Sequence, residues 1–116
     1  MFSFLRHPSP EVSVEELDVL RRQDSVRVLD VREDWEFVRG HVPGAIHVPL
    51  GQLPGRVDQL PRDRRILVIC ASGHRSRSAA DLLLGHGFEG AASVRGGTGA
   101  WARAGGQLEQ GPARAA

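Results

Sequence analysis

The sequence predicts an α/β domain: a mainly parallel sheet with helices on both faces. Three observations carry that expectation. Val26–Val31 and Arg65–Cys70 are largely apolar runs, and the second has no polar residue from Ile66 to Ile69. Unbroken runs of this kind suit strands covered on both faces. Two shorter runs, Ala45–Val48 and Ala91–Val94, are bounded by glycine or proline punctuation and read as further strands. Helical patterns separate these runs, which is the alternation that builds parallel sheets.

Taken in order, residues 1–12 hold two prolines and no periodicity, and are expected to be a loose N-terminal extension. Ser13-Val14-Glu15-Glu16 reads as a capping box. Val14, Leu17 and Leu20 then share one side of a helix over about 13–22. Asp34 to Val38, stopped by Gly40, is a second helical pattern, and Leu50–Leu60 a third. Ser76–Leu84, stopped by Gly85 and Gly87, and Thr98–Ala104 complete the set. The domain is expected to span 13–108, followed by a flexible tail over 109–116. In sheets of this type ligands bind beyond the carboxyl ends of the strands, so Asp30 and Cys70 are expected at one rim.

Composition narrows the function classes. The chain has 116 residues, 41% of them hydrophobic, enough for one core and too few for two. The 15 Lys and Arg nearly balance the 14 Asp and Glu, so bulk charge calls for neither nucleic acid nor an anionic membrane surface. No apolar run approaches the roughly 18–20 residues of a membrane span, and the apolar start before Arg6 is too short for a signal peptide. A cytoplasmic protein is expected. Cys70 is the only cysteine, which excludes an internal disulfide and a CxxC pair. The five histidines, His7, His41, His47, His74 and His86, lack HxxxH spacing, so no metal is expected.

The stretch that carries chemistry is Cys70-Ala71-Ser72-Gly73-His74-Arg75-Ser76, between the most hydrophobic strand and a helical pattern. A thiol at a strand end is fixed in place. A short loop curling back to a helix start can turn several N–H groups toward one point, and Gly73 permits the curl. Those amides, the helix N-terminus and the cations Arg75 and Arg77 are expected to favour thiolate over thiol. The same field would hold the outer sulfur of a persulfide and attract an anionic donor.

At four places the chain resembles the rhodanese homology domain. Val28-Leu29-Asp30-Val31-Arg32 is similar to the family's Asp-x-Arg strand end. Glu36-Phe37 with Gly40-His41-Val42-Pro43-Gly44-Ala45 resembles its E-[FY]…GH[IV]PGA segment, Cys70–Ser76 its CxxGxRS loop, and Gly96-Gly97 with Ala100-Trp101 its closing GGxxAW. The resemblance implies a three-layer α/β/α fold around a five-stranded parallel sheet, with Cys70 as nucleophile and Ala71 through Ser76 as the substrate-binding loop. Asp30 and Arg32 are expected to support the loop by pairing with charges near it. Gly40 and Pro43-Gly44 read as backbone geometry, Trp101 as a core anchor, and Trp35 as a candidate lip over the site.

The implied activity is sulfur transfer through a Cys70 persulfide, from thiosulfate or a similar small anionic donor to cyanide, a thiol or a partner's cysteine, without metal or organic cofactor. A related scaffold serves phosphatases and arsenate reductases, whose loops are one residue longer than Cys70–Arg75 and whose cysteine is followed by an acidic residue rather than Ala71. A persulfide carrier without turnover, or a protein-binding adaptor, is the alternative from another class.

Overall fold

The two longest predicted strands become β2 (Val26–Asp30) and β4 (Arg65–Ile69). They pair in parallel over their full length, from Val26 opposite Arg65 to Asp30 opposite Ile69. The computed structural model describes residues 10–114. Within them β1 (Glu11–Val12), β3 (Ile46–His47) and β5 (Ala92–Val94) complete a five-stranded, all-parallel sheet in the order β1-β5-β4-β2-β3. Strand β4, which Cys70 directly follows, is therefore central, with β5 on one side and β2 on the other.

Strand alternation divides the core between the two faces of the sheet. Leu29, Val31, Val68 and Cys70 pack on one face with Leu53 and Val57 and with Ala79, Ala80 and Leu83 of α4 (His74–Gly85). Val28, Leu67, Ile69 and Val94 pack on the other with Leu17 of α1 (Val14–Arg22), Phe37 of α2 (Asp34–Arg39) and Trp101 of α5 (Gly97–Arg103). The result is the three-layer α/β/α architecture. The capping box at the start of α1 forms as predicted, with Ser13 Oγ accepting from the Glu16 N–H at 3.0 Å and Glu16 accepting from the Ser13 N–H at 3.1 Å.

Four local expectations change. The stretch 50–60 is not one helix but a 3-10 turn (Leu50–Gln52), α3 (Leu53–Arg56) and a second 3-10 turn (Val57–Gln59), because Pro54 lacks an N–H and Gly51 and Gly55 are poor helix formers. Helix α4 starts at His74, two residues before the predicted Ser76. The extension assigned to 1–12 ends in β1, whose neighbour Pro10 accepts from the Ser93 N–H at 2.9 Å; residues 1–9 lie outside the described residues. The tail assigned to 109–116 is tied down at its start, where Glu109 and His41 exchange both backbone hydrogen bonds and the Gly111 N–H donates to Val38 O. Residues 115 and 116 lie outside the described residues. Among the described residues no helix is long and apolar enough to cross a membrane.

At the carboxyl end of β2, Asp30 is fully buried and receives the Arg32 guanidinium through Nε at 3.0 Å and Nη2 at 2.8 Å. Arg32 Nη2 also donates to Gly40 O at 2.8 Å. Removing one partner of a buried pair leaves the other charge unpaired, which costs far more than the pair contributes. Asp30→Ala is expected to lower the unfolding free energy by about 3–5 kcal/mol, read as a lower urea midpoint with an unchanged slope.

Candidate active site

Helix α4 begins early because Gly73 takes φ +102°, the left-handed region that favours glycine, and turns the chain directly into the helix. The first N–H groups of a helix have no partner within it. Here two of them meet the sulfur: Cys70 Sγ accepts from the Gly73 N–H at 3.1 Å and from the Ser76 N–H at 3.3 Å. The Ser76 hydroxyl lies 3.4 Å from it. The sulfur thus stands where a capping oxygen ordinarily would, at the positive end of a 12-residue helix.

A second loop turns the carbonyls away. A Cβ on Gly97 would fall 2.2 Å from Cys70 O and 2.6 Å from the Ala71 carbonyl carbon. That close approach lets the Thr98 N–H donate to Cys70 O at 2.8 Å and the Gly99 N–H donate to Ala71 O at 3.1 Å. Both bonds fasten the first two residues of the cysteine loop to the start of α5.

Cys70 is 1% exposed. Burial pushes its thiol up, but hydrogen bonds from the Ser76 hydroxyl and from the Ser76, Gly73 and Ser72 N–H groups outweigh it, and the thiol is held below its ordinary value. The cause lies in short-range hydrogen bonds more than in free cations. Arg75 is committed elsewhere, donating to both carboxylate oxygens of Glu36 at 2.7 and 2.9 Å. That grip holds the Glu36 carboxyl down at about 2 and raises Arg75, with attraction to Cys70 a lesser contribution to the latter. Arg77 is exposed on α4.

Asp30 and Arg32 do not reach the loop as expected. They pair with each other, and Arg32 fastens the middle of α2 through Glu36 O at 3.4 Å and its C-cap through Gly40 O. Phe37 is stacked against the rings of His41 (3.7 Å) and His47 (4.2 Å), while His47 Nε2 donates to Arg32 O at 2.8 Å. Glu36, carried on the helix that Arg32 fastens, is the residue that grips Arg75. Among the remaining candidates, Ser72 and His74 are exposed and meet at 3.1 Å, Ser72 Oγ to His74 Nδ1. Ala71 is half-buried. Trp35 is 61% exposed, with the Arg39 guanidinium 5.3 Å above its ring. Trp101 is a core anchor whose Nε1 donates to Gln107 O at 2.8 Å.

A model of the rhodanese-like domain matches residues 13–104, which take in β2, the cysteine loop and the Gly96-Gly97 turn. The chain belongs to the rhodanese-like family. This rhodanese-like domain is 35% identical over 82 residues to a protein of Allochromatium vinosum named "Sulfurtransferase", covering 71% of this chain and 77% of that one. It is 38% identical over 81 residues to "Putative sulfur carrier protein YrkF" of Bacillus subtilis, covering 69% of this chain but only 44% of that relative. The crystal structure of a thiosulfate sulfurtransferase from Pseudomonas aeruginosa superposes with a TM-score of 0.82 at 35% identity, over 91% of this chain and 21% of that one.

Three site features escaped the reading of the sequence: the Glu36 grip, the Thr98 and Gly99 donors, and Ser93. The last had a signal, a hydroxyl inside an otherwise apolar strand run. Two predictions follow from the loop supports. Glu36→Gln is expected to cost about 1–2 kcal/mol at pH 7, discounted for the partly exposed Arg75. Because the folded carboxyl is held down at about 2, this contribution is complete above the unfolded value near 4.3 and fades as pH falls toward 2. Denaturation of wild type and variant at several pH values should therefore converge across that window. Gly97→Ala, which drives a methyl group into the Cys70 carbonyl at φ +59°, is expected to cost more than about 2 kcal/mol and to raise the pH at which Cys70 ionises, read by denaturation and thiolate absorbance.

Proposed function

We propose that this domain is a sulfurtransferase in which Cys70 carries a sulfane sulfur as a persulfide. The observation that supports this reading best is the convergence of the Gly73 and Ser76 N–H groups and the Ser76 hydroxyl on Cys70 Sγ. Such donors stabilise charge on one sulfur atom without a metal.

In the proposed cycle the Cys70 thiolate attacks the outer sulfur of thiosulfate or another small anionic sulfane donor. The donor's S–S bond breaks, its electron pair leaves with sulfite, and Cys70 becomes a persulfide. Cyanide, a small thiolate or a partner's cysteine then attacks the outer sulfur and releases the Cys70 thiolate. Dividing one transfer into two displacements is covalent catalysis and implies ping-pong kinetics. Ser72 and His74, exposed on the loop, are where donor and acceptor arrive, and Ala71 through Ser76 form the binding loop. The six-residue loop Cys70–Arg75 and the neutral Ala71 favour this reading over phosphate or arsenate chemistry. A cytoplasmic setting, where a lone thiol stays reduced, suits it.

A persulfide carrier is the second reading, favoured by the similarity to YrkF. Both readings need the adduct, and turnover separates them. Intact mass after thiosulfate treatment is expected to show one added sulfur atom that dithiothreitol removes and that Cys70→Ser never acquires. The rate of adduct formation should follow a thiolate whose midpoint lies below that of an ordinary cysteine. Steady release of thiocyanate from thiosulfate and cyanide marks an enzyme, whereas an adduct without turnover marks a carrier. A wild-type protein that takes up no sulfur from any sulfane donor overturns both.

A further inference from the structure

Ser93 is a hydroxyl with no reason to be in its strand. It lies at the middle of β5, fully buried, between Ala92 and Val94 on a strand flanked by β1 and β4. Alternation turns Ala92 and Val94 to one face of the sheet and Ser93 to the other, the face of α4 and Cys70. A β-branched apolar residue is the ordinary occupant of such a position, and a buried hydroxyl without a partner costs free energy. Among the described residues its side chain meets one hydrogen-bond partner, the Ser76 hydroxyl, at 2.7 Å. Ser76 in turn lies 3.4 Å from Cys70 Sγ.

The three side chains form a buried line, Ser93–Ser76–Cys70, with two contacts in it. Each contact takes one hydrogen. When Cys70 is a thiol the line holds three hydrogens, one more than its two contacts can take. The sulfur offers no escape, since the Gly73 and Ser76 N–H groups already point at it as donors. When Cys70 is a thiolate the count is two hydrogens for two contacts: Ser93 donates to Ser76, and Ser76 donates to sulfur. Ionisation thus matches hydrogens to contacts along the whole line, whereas protonation adds a donor that the line itself cannot accept. A hydroxyl that accepts one hydrogen bond is also a stronger donor in the next.

We infer that Ser93 is a positioning residue that acts through Ser76, orienting the Ser76 hydroxyl toward Cys70 and favouring the charged sulfur. This rests on the sulfurtransferase reading for its chemical consequence and not for its physical content. In that reading charge resides on Cys70 Sγ twice, in the attacking thiolate and in the thiolate that leaves when the acceptor takes the outer sulfur. Ser93 would assist both.

The chain suits a direct titration, because Cys70 is its one cysteine and it contains no tyrosine. Thiolate absorbance in the ultraviolet is followed against pH for wild type, Ser93→Ala, Ser93→Thr and Ser93→Val, with Cys70→Ser as the blank. Thr and Val have nearly the same shape and differ in the hydroxyl, so this pair remains informative if the alanine variant fails to fold. Val and Ala are expected to move the midpoint up by about half a pH unit or more, and Thr to stay closer to wild type. In a Ser76→Ala background the same changes at Ser93 should add nothing, since the line is already cut. The inference is overturned if Val and Thr titrate within about 0.2 units of each other, or if the Ser93 effect persists without Ser76. Adduct formation with thiosulfate, measured on the same proteins, reports separately on the parent reading. Loss of the adduct in wild type sinks sulfur transfer while leaving the titration result standing.

Discussion

Everything at the cysteine depends on the direction of two carbonyl groups. As the chain curls from Cys70 toward the start of α4, the carbonyls of Cys70 and Ala71 need partners, because a buried C=O without one is costly. The Thr98 and Gly99 amides supply those partners for Cys70 and Ala71, and they can do so only because Gly97 brings the second backbone into contact with the first. The requirement for glycine is steric as well as conformational. Gly73 adds the complementary turn, and a Cβ there would lie 3.3 Å from the Gly96 nitrogen, so the two loops constrain each other from both sides.

Sheet order explains why these loops meet. Strands β4 and β5 are neighbours, which places the turn after β5 against the turn after β4. On the opposite flank β2 is the neighbour of β4, and the segment that leaves β2 carries Arg32 and then α2 with Glu36. The loop is braced from one side by backbone hydrogen bonds and from the other by a two-point ion pair. The second brace is itself expensive to build, because Asp30 and Arg32 are buried charges whose desolvation is offset only by excellent geometry. Arg32 meets that condition by engaging the carboxylate and two carbonyls at once, so its charge fixes a helix in position more than it contributes net stability.

The layers, the parallel sheet and the rim shared by Asp30 and Cys70 were legible because long apolar runs and helix caps are local patterns. Strand β1 was not, since two residues, Glu11 and Val12, carry no period, and their pairing with β5 is decided by tertiary contact. The short helices over 50–59 were misread as one, where Pro54 and the glycines outweighed the apolar pattern. At the site, Cys70 and Gly73 could be found from type and spacing. The partner of Arg75 could not be derived from spacing, because Glu36 lies 39 residues away and any of the chain's 14 carboxylates was formally available. Ser93 was visible only as an anomaly, and its meaning required seeing what lay 2.7 Å from it.

Placing the negative end of the chemistry at a helix cap has a further consequence for how charge can move. In the proposed cycle the charge passes from Cys70 Sγ to an outer sulfur about 2 Å beyond it and back again. Donors fixed by backbone geometry do not need to rotate to follow that movement, and the field of a helix N-terminus changes little over such a distance. A flexible lysine in the same place would have to reorient and be resolvated at each step. The Glu36 grip on Arg75 has the same effect on the one cationic side chain of the loop, since a guanidinium held at two points cannot collapse onto the sulfur when the thiolate forms. In the proposed cycle such a site would hold charge on either sulfur without rearrangement, which is the condition under which preorganised dipoles outperform mobile ions.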